Sequence, residues 1–123
     1  MMKKKEKANY LDFIPVRNPE LAWETGEDGM IVLLVPHNGL MERLTQKLLR
    51  KPKLSYIHME QFGSFIWPLI DGQRTVYEIG LLVREAFGQD AEPLFERLAT
   101  YFEILKQNRY ISFLPESSKP SGA

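Results

Sequence analysis

The chain has 123 residues and a mass of 14.3 kDa, a length typical of one domain. Sixteen basic and sixteen acidic side chains give zero net charge, which disfavours a general polyanion binder. The absence of cysteine excludes a disulfide scaffold, a thiolate metal site and a cysteine nucleophile. No apolar run approaches the roughly 18–20 residues that span a bilayer. No signal-peptide core follows the basic start, so we expect a cytoplasmic protein that does not contact membranes.

The two ends of the chain differ in composition from its middle. Residues 1–9 are polar and charged, and residues 10–19 combine two prolines with four large apolar side chains. Since proline interrupts a helix, we predict an N-terminal arm over 1–19 that is flexible or packs on the rest of the protein. Residues 115–123 have the composition of a disordered tail, which leaves the folded domain at 20–114.

Strand patterns dominate the first half. Leu21–Thr25 and Met30–Val35 alternate or are rich in β-branched and aliphatic residues, and the Gly-containing linker between them indicates a hairpin. Residues 53–58 predict a third strand. Its side chains alternate between two faces, and we expect one of the amides of Ser55 and Ile57 to point away from the sheet.

A basic helix is predicted between the second and third strands. Residues 40–51 place leucines at helical spacing and basic residues on the other faces, and Pro52 ends the pattern. The simpler interpretation is that the leucines pack on the sheet. Docking to a membrane surface or to a partner is the alternative.

Three helices and a short strand are predicted in the second half. The helices cover residues 59–70, 75–87 and 90–108, and the last two begin with a Thr75–Glu78 capping box and an Asp90 cap. Residues 110–113 can form a final strand. The expected fold is α+β, with a three-stranded antiparallel sheet packed on a three-helix bundle and the extra basic amphipathic helix between strands 2 and 3.

The sequence offers no constellation for catalysis. Its two histidines, His37 and His58, are 21 positions apart and lack metal-ligand spacing. Ser64 lacks a nucleophile elbow, and no phosphate-binding glycine motif occurs. Asp71 precedes a glycine and is expected to cap a turn. We therefore predict no enzyme activity, no metal and no cofactor.

Two other functions remain open from the residues alone. A trihelical unit beside strands can bind DNA, but residues 60–109 contain five basic and eight acidic side chains, a balance that opposes contact with phosphates. A structural homo-oligomer is the other alternative, since exchange of the arm between two copies would give a homodimer.

Residues 62–79 resemble the signature of PqqD-like proteins. They read Phe-Gly-Ser-Phe-Ile-Trp-Pro-Leu-Ile-Asp-Gly-Gln-Arg-Thr-Val-Tyr-Glu-Ile, and the signature likewise runs from a tryptophan-containing helix through Asp-Gly into an Arg/Lys-Thr-Val helix start. The similarity extends over roughly 21–113. It implies a non-catalytic, winged-helix-like domain that binds the leader of a ribosomally made precursor peptide and presents it to a modifying enzyme, often a radical S-adenosylmethionine (SAM) protein.

The resemblance also implies where the peptide binds. In the family the leader adds as a strand beside the third strand, in a groove shared with the third helix. The matching segments here are residues 53–58 and 90–108. The expected peptide-binding residues are Lys53, Leu54, Ser55, Tyr56, Ile57, His58, Arg97, Tyr101 and Phe102.

Overall fold

The computed structural model describes residues 10–36 and 54–114. Within these ranges, four strands are followed by three α-helices and a final strand: β1 Pro15–Arg17, β2 Ala22–Thr25, β3 Ile31–Pro36, β4 Leu54–His58, α1 Gln61–Ile66, α2 Val76–Phe87, α3 Leu94–Gln107 and β5 Ile111–Phe113. The predicted α+β class, with a three-stranded antiparallel sheet and three helices, is confirmed. The basic helix predicted over 40–51 lies outside the described residues.

The chain divides into two compact units. Pro19–Ser64 forms one, called here the sheet unit, and the residues up to Asn18 and from Phe65 onward form the other, called the helical unit. The domain boundaries predicted at 19/20 and 114/115 remain predictions.

The sheet unit contains an antiparallel sheet in the order β2-β3-β4. The predicted hairpin joins β2 to β3, with Gly26 N–H donating to the Met30 carbonyl at 2.8 Å. Gly29 has a φ of 82°, a backbone conformation that favours glycine. Ile31 and Leu33 on β3 are buried, so this central strand contributes the unit's main apolar side chains.

The first predicted helix, over 59–70, is shorter than expected. The α-helix α1 ends at Ile66, and Trp67–Leu69 continue as a single 3₁₀ turn. Pro68 has no N–H to donate within an α-helix, which explains why the last turn tightens to 3₁₀ geometry.

The second helix begins as predicted. Thr75 Oγ1 accepts a hydrogen bond from Glu78 N–H at 3.1 Å, and Glu78 Oε1 accepts one from Thr75 N–H at 2.8 Å. This reciprocal pair satisfies two amides that the first turn of α2 leaves without helical partners. The helix ends at Phe87, and the following residue Gly88, with a φ of 58°, caps it.

The third helix begins four residues later than predicted, and Asp90 does not cap it. Gly88–Ala91 form a 3₁₀ turn, and Glu92 then adopts extended backbone angles before Pro93, as residues preceding proline prefer. The Leu94 N–H donates to Glu92 Oε1 at 3.1 Å. Glu92 therefore supplies a hydrogen bond of the kind expected from Asp90. The predicted end at Asn108 is confirmed.

The helical unit also contains a second, two-stranded sheet. β1 pairs antiparallel with β5, so the predicted final strand exists and its partner comes from the N-terminal arm. Tyr10 and Ile14, on the same arm, are buried within the chain. The described part of the arm, residues 10–19, therefore includes residues packed against its own protein.

Candidate functional site

The hydrogen-bonding pattern of the β3–β4 ladder decides which backbone groups of β4 face its outer edge, with which no other described strand pairs. The Met59 N–H donates to the carbonyl of Ile31, the residue directly opposite it, at 2.9 Å. Hydrogen-bonded and non-hydrogen-bonded pairs alternate along an antiparallel ladder, so Ile57 and Ser55 direct their backbone groups toward β3. The other three residues of β4 direct their N–H and C=O groups outward: Leu54, Tyr56 and His58.

This geometry corrects one expectation. From the sequence, one amide of the pair Ser55 and Ile57 is expected to point outward. The two residues are two positions apart, so their amides share one orientation, and the register turns both toward β3. The outward amide at the centre of the strand belongs to Tyr56.

Large apolar side chains of β4 are exposed as well as its backbone. Tyr56 is 59% exposed, Ile57 38% and Leu54 36%. Such side chains on an edge strand favour pairing with another chain, and an added strand would cover them. His58 is also exposed. Lys53, the first residue of the predicted strand, lies outside the described residues.

The opposite edge of the sheet is less suited to pairing. β2 has four residues with Glu24 near its centre, and a short strand carrying a charge is a common way to protect an edge. β4 has five residues and no Asp, Glu, Lys or Arg. Of the two edges of the described sheet, β4 is therefore the better candidate for strand addition.

The candidate residues of α3 lie in different environments. The Arg97 guanidinium donates to the Asp90 carbonyl at 2.6 Å, which ties the helix to the preceding 3₁₀ turn. Tyr101 is partly accessible, and burial raises the pKa of its phenol above the ordinary value. Phe102 is fully buried and contacts Tyr101 and Phe113 edge-on or tilted. Its ring is therefore not accessible to a peptide, and it packs edge-on against the Tyr101 ring.

Strand and helix lie in different units, β4 in the sheet unit and α3 in the helical unit. The five described candidate residues of β4 therefore form one group in the sheet unit, and the three candidates of α3 form another in the helical unit.

The residues that resemble the family signature have structural roles in the core and in turns. Trp67 and Ile70 are buried, and the Arg17 guanidinium donates to the carbonyls of Trp67 and Pro68 at 3.1 and 3.2 Å. Arg17 stands in the N-terminal arm, 50 positions away in the sequence, and no local pattern indicates that role.

Asp71 caps its turn as predicted. Its Oδ1 accepts hydrogen bonds from the N–H groups of Gln73 and Arg74 at 2.9 and 3.0 Å. Its Oδ2 accepts from the Arg74 guanidinium at 2.6 Å. Gly72, with a φ of 77°, donates to the Pro15 carbonyl. The Asp-Gly pair therefore connects the start of α2 to strand β1.

Ser64 also has a structural role. Its hydroxyl accepts from the Ile31 N–H at 2.8 Å and donates to the Met59 carbonyl at 3.2 Å. The side chain thus bridges two groups that would otherwise bond directly at the end of the β3–β4 ladder.

Across residues 10–36 and 54–114, no group of three or more His, Cys, Asp and Glu side chains is placed to hold a metal ion. In the same ranges no helix has the length and apolar character needed to cross a membrane. His37 lies outside these ranges.

Fold and edge together define a small α+β domain in which, among residues 10–36 and 54–114, no strand pairs with the outer edge of the apolar strand β4. The family model for PqqD, coenzyme PQQ synthesis protein D, matches residues 31–111. This range is more than half of the chain and includes β3, β4 and all three described helices. The chain belongs to the PqqD family, which confirms the resemblance noted in the sequence. Members of this family are non-catalytic accessory proteins of PQQ synthesis.

No curated protein and no solved structure matched the chain.

Proposed function

We propose that this protein binds an extended segment of a precursor peptide by strand addition at the outer edge of β4 and presents it to a modifying enzyme. The observation that carries the proposal is the geometry of β4: three residues with outward backbone groups and three exposed apolar side chains on one uncharged strand. PqqD proteins bind a precursor peptide and interact with a radical SAM enzyme, and the same two partners are proposed here.

Backbone and side chains have separate tasks in this mode of binding. Outward N–H and C=O groups at positions 54, 56 and 58 bond to any extended peptide, whereas the exposed side chains select its sequence. Viewed from an added strand, Ile57 occupies a non-hydrogen-bonded position, where facing side chains approach most closely. An apolar peptide residue opposite Ile57 is therefore preferred.

The expected affinity is modest. A buried aliphatic anchor contributes roughly 1.5–3 kcal/mol, and ordering the peptide offsets a large part of that gain. A micromolar dissociation constant is the expected result. Such binding lets the leader leave after the peptide has been modified.

The remaining parts of the proposal rest on the family alone. Lys53, Arg97 and Tyr101 are proposed as further peptide contacts, and Phe102 contributes by packing behind Tyr101. The winged-helix description of the domain has the same basis. The cytoplasm is the proposed compartment.

Two substitutions at one position test the strand-addition mode. Tyr56→Ala removes the exposed ring and keeps the backbone donor, whereas Tyr56→Pro also removes the N–H that faces the open edge. Since that N–H makes no ladder bond to β3, both variants are expected to fold. In a fluorescence anisotropy titration with the leader of a precursor peptide of PQQ synthesis, the class that PqqD proteins bind, Tyr56→Ala should weaken binding a few-fold and Tyr56→Pro more than tenfold.

A change in the peptide provides the matched experiment. Single N-methyl groups moved along the leader should weaken its binding to the wild-type protein at alternate positions, because every second peptide amide faces β4. Equal affinity for all methylated peptides, with wild-type affinity in both Tyr56 variants, would place the binding surface elsewhere.

A further inference from the structure

The contact between α2 and α3 produces a surface patch that the peptide-binding proposal does not use. Gly80 lets the helices approach so closely that a Cβ there would lie 3.2 Å from Phe95 Cε1. Phe95 consequently lies against α2, with the Tyr77 ring stacked on it at a centroid distance of 6.0 Å and an angle of 13°. The Arg84 guanidinium lies 5.4 Å from the centroid of the Phe95 ring.

Four residues form this patch, called here the α2 patch: Tyr77, Leu81, Arg84 and Phe95. Tyr77 is 45% exposed and Leu81 is 42% exposed. They are four positions apart on α2 and so share one face. Aromatic residues and arginine are enriched in the centres of protein interfaces. The patch therefore has the composition of a docking surface and retains a large accessible area.

Charge around the α2 patch indicates the kind of surface it fits. Glu78 and Glu85 lie three positions before and four positions after Leu81 on the same helix, and both are exposed. The positive charge of Arg84 is balanced by Glu92, whose Oε2 lies 3.6 Å from Arg84 Nε. The three glutamates outnumber this one arginine, so the surroundings of the patch carry a net negative charge. A complementary partner has an apolar centre with Lys or Arg around it.

We infer that the α2 patch is the docking site for the modifying enzyme, through an apolar, basic-rimmed surface of that enzyme. This inference rests on the proposed function: a protein that presents a peptide must hold peptide and enzyme at the same time with different residues. The described peptide-binding residues of β4 belong to the sheet unit and those of the patch to the helical unit, and the two sets share no member.

The test uses the full chain and a purified radical SAM enzyme of PQQ synthesis, the class with which PqqD proteins interact. Leu81→Glu places a charge within the patch, at an exposed position, and Tyr77→Ala removes an exposed aromatic ring. Ile104→Glu is the matched control, because Ile104 is 51% exposed and lies nine residues after Phe95, on the opposite side of α3. Calorimetry should show at least tenfold weaker enzyme binding for Leu81→Glu, a smaller loss for Tyr77→Ala and no change for Ile104→Glu.

Leader-peptide affinity, measured on the same variants, separates the two proposals. Wild-type peptide affinity in Leu81→Glu is the expected result. Loss of peptide binding in this variant, or undiminished enzyme binding by both patch variants, would overturn the inference. A wild-type oligomer that dissociates in Leu81→Glu would also overturn it, since the occupant is then a second copy. If the wild-type protein binds the enzyme through the patch but no leader, the peptide proposal fails and the docking site stands.

Discussion

Gly80 on α2 lies so close to Leu98 on α3 that a Cβ at position 80 would be 2.8 Å from Leu98 Cδ1. Leu98 is fully buried, so it has little room to withdraw. Gly80→Ala gains helix propensity of about 1 kcal/mol, whereas overpacking a core costs about 1–3 kcal/mol. We expect a net loss of about 1 kcal/mol in the free energy of unfolding, measured by urea denaturation.

The control for Gly80→Ala is Glu85→Ala, an exposed position of the same helix. Its effect should stay within about 0.5 kcal/mol. A Gly80→Ala variant more stable than the wild type would show that α3 moves away from α2 at no cost.

Ser64→Ala removes the hydroxyl that bridges Ile31 and Met59. The Ile31 N–H, which is partly buried, then loses its acceptor, and an unsatisfied buried donor costs about 1–3 kcal/mol. The expected result is a lower free energy of unfolding together with faster hydrogen exchange at the Ile31 amide. Slow exchange at this amide in the variant would contradict the bridging role. Ser112→Ala, at an exposed position on β5, is the control and should have little effect.

The lowered pKa of Asp71 predicts how the stability of the fold depends on pH. Partial burial tends to raise the pKa of its carboxyl, but hydrogen bonds from the Gln73 and Arg74 N–H groups and the charge of Arg74 outweigh this effect, so the pKa lies below its usual value. A carboxyl whose pKa is lowered by folding stabilises the protein above its unfolded pKa, and this contribution disappears as pH falls through the folded value. Asp71→Asn should therefore lower stability at neutral pH and reduce the loss between neutral and acidic pH. Parallel stability curves for the variant and the wild type, measured from pH 7 downward, would contradict this assignment.

Local features of the fold could be predicted from the sequence. The glycine-containing hairpin, the Thr75–Glu78 capping box, the Asp71 turn and the end at Asn108 each depend on residues close together in the chain. The start of α3 was placed too early because the predicted Asp90 cap competes with the extended conformation that Pro93 imposes on Glu92.

Features that depend on distant residues could not be predicted in the same way. The pairing of β1 with β5 joins residues nearly 100 positions apart, and the partner of Arg17 is 50 positions away. The candidate strand was predicted, but the outward direction of its backbone depends on the register with β3. The hydrogen bond from the Met59 N–H to the Ile31 carbonyl fixes which residues of β4 face β3, and it joins residues 28 positions apart.

Amide hydrogen exchange along β4 tests strand addition most directly. In the free protein, the Ser55 and Ile57 amides bond to β3 and should exchange slowly, whereas those of Leu54, Tyr56 and His58 should exchange quickly. Saturating leader peptide should slow exchange at the second group and leave the first nearly unchanged. Peptide binding that leaves the Tyr56 amide in fast exchange would contradict strand addition at this edge.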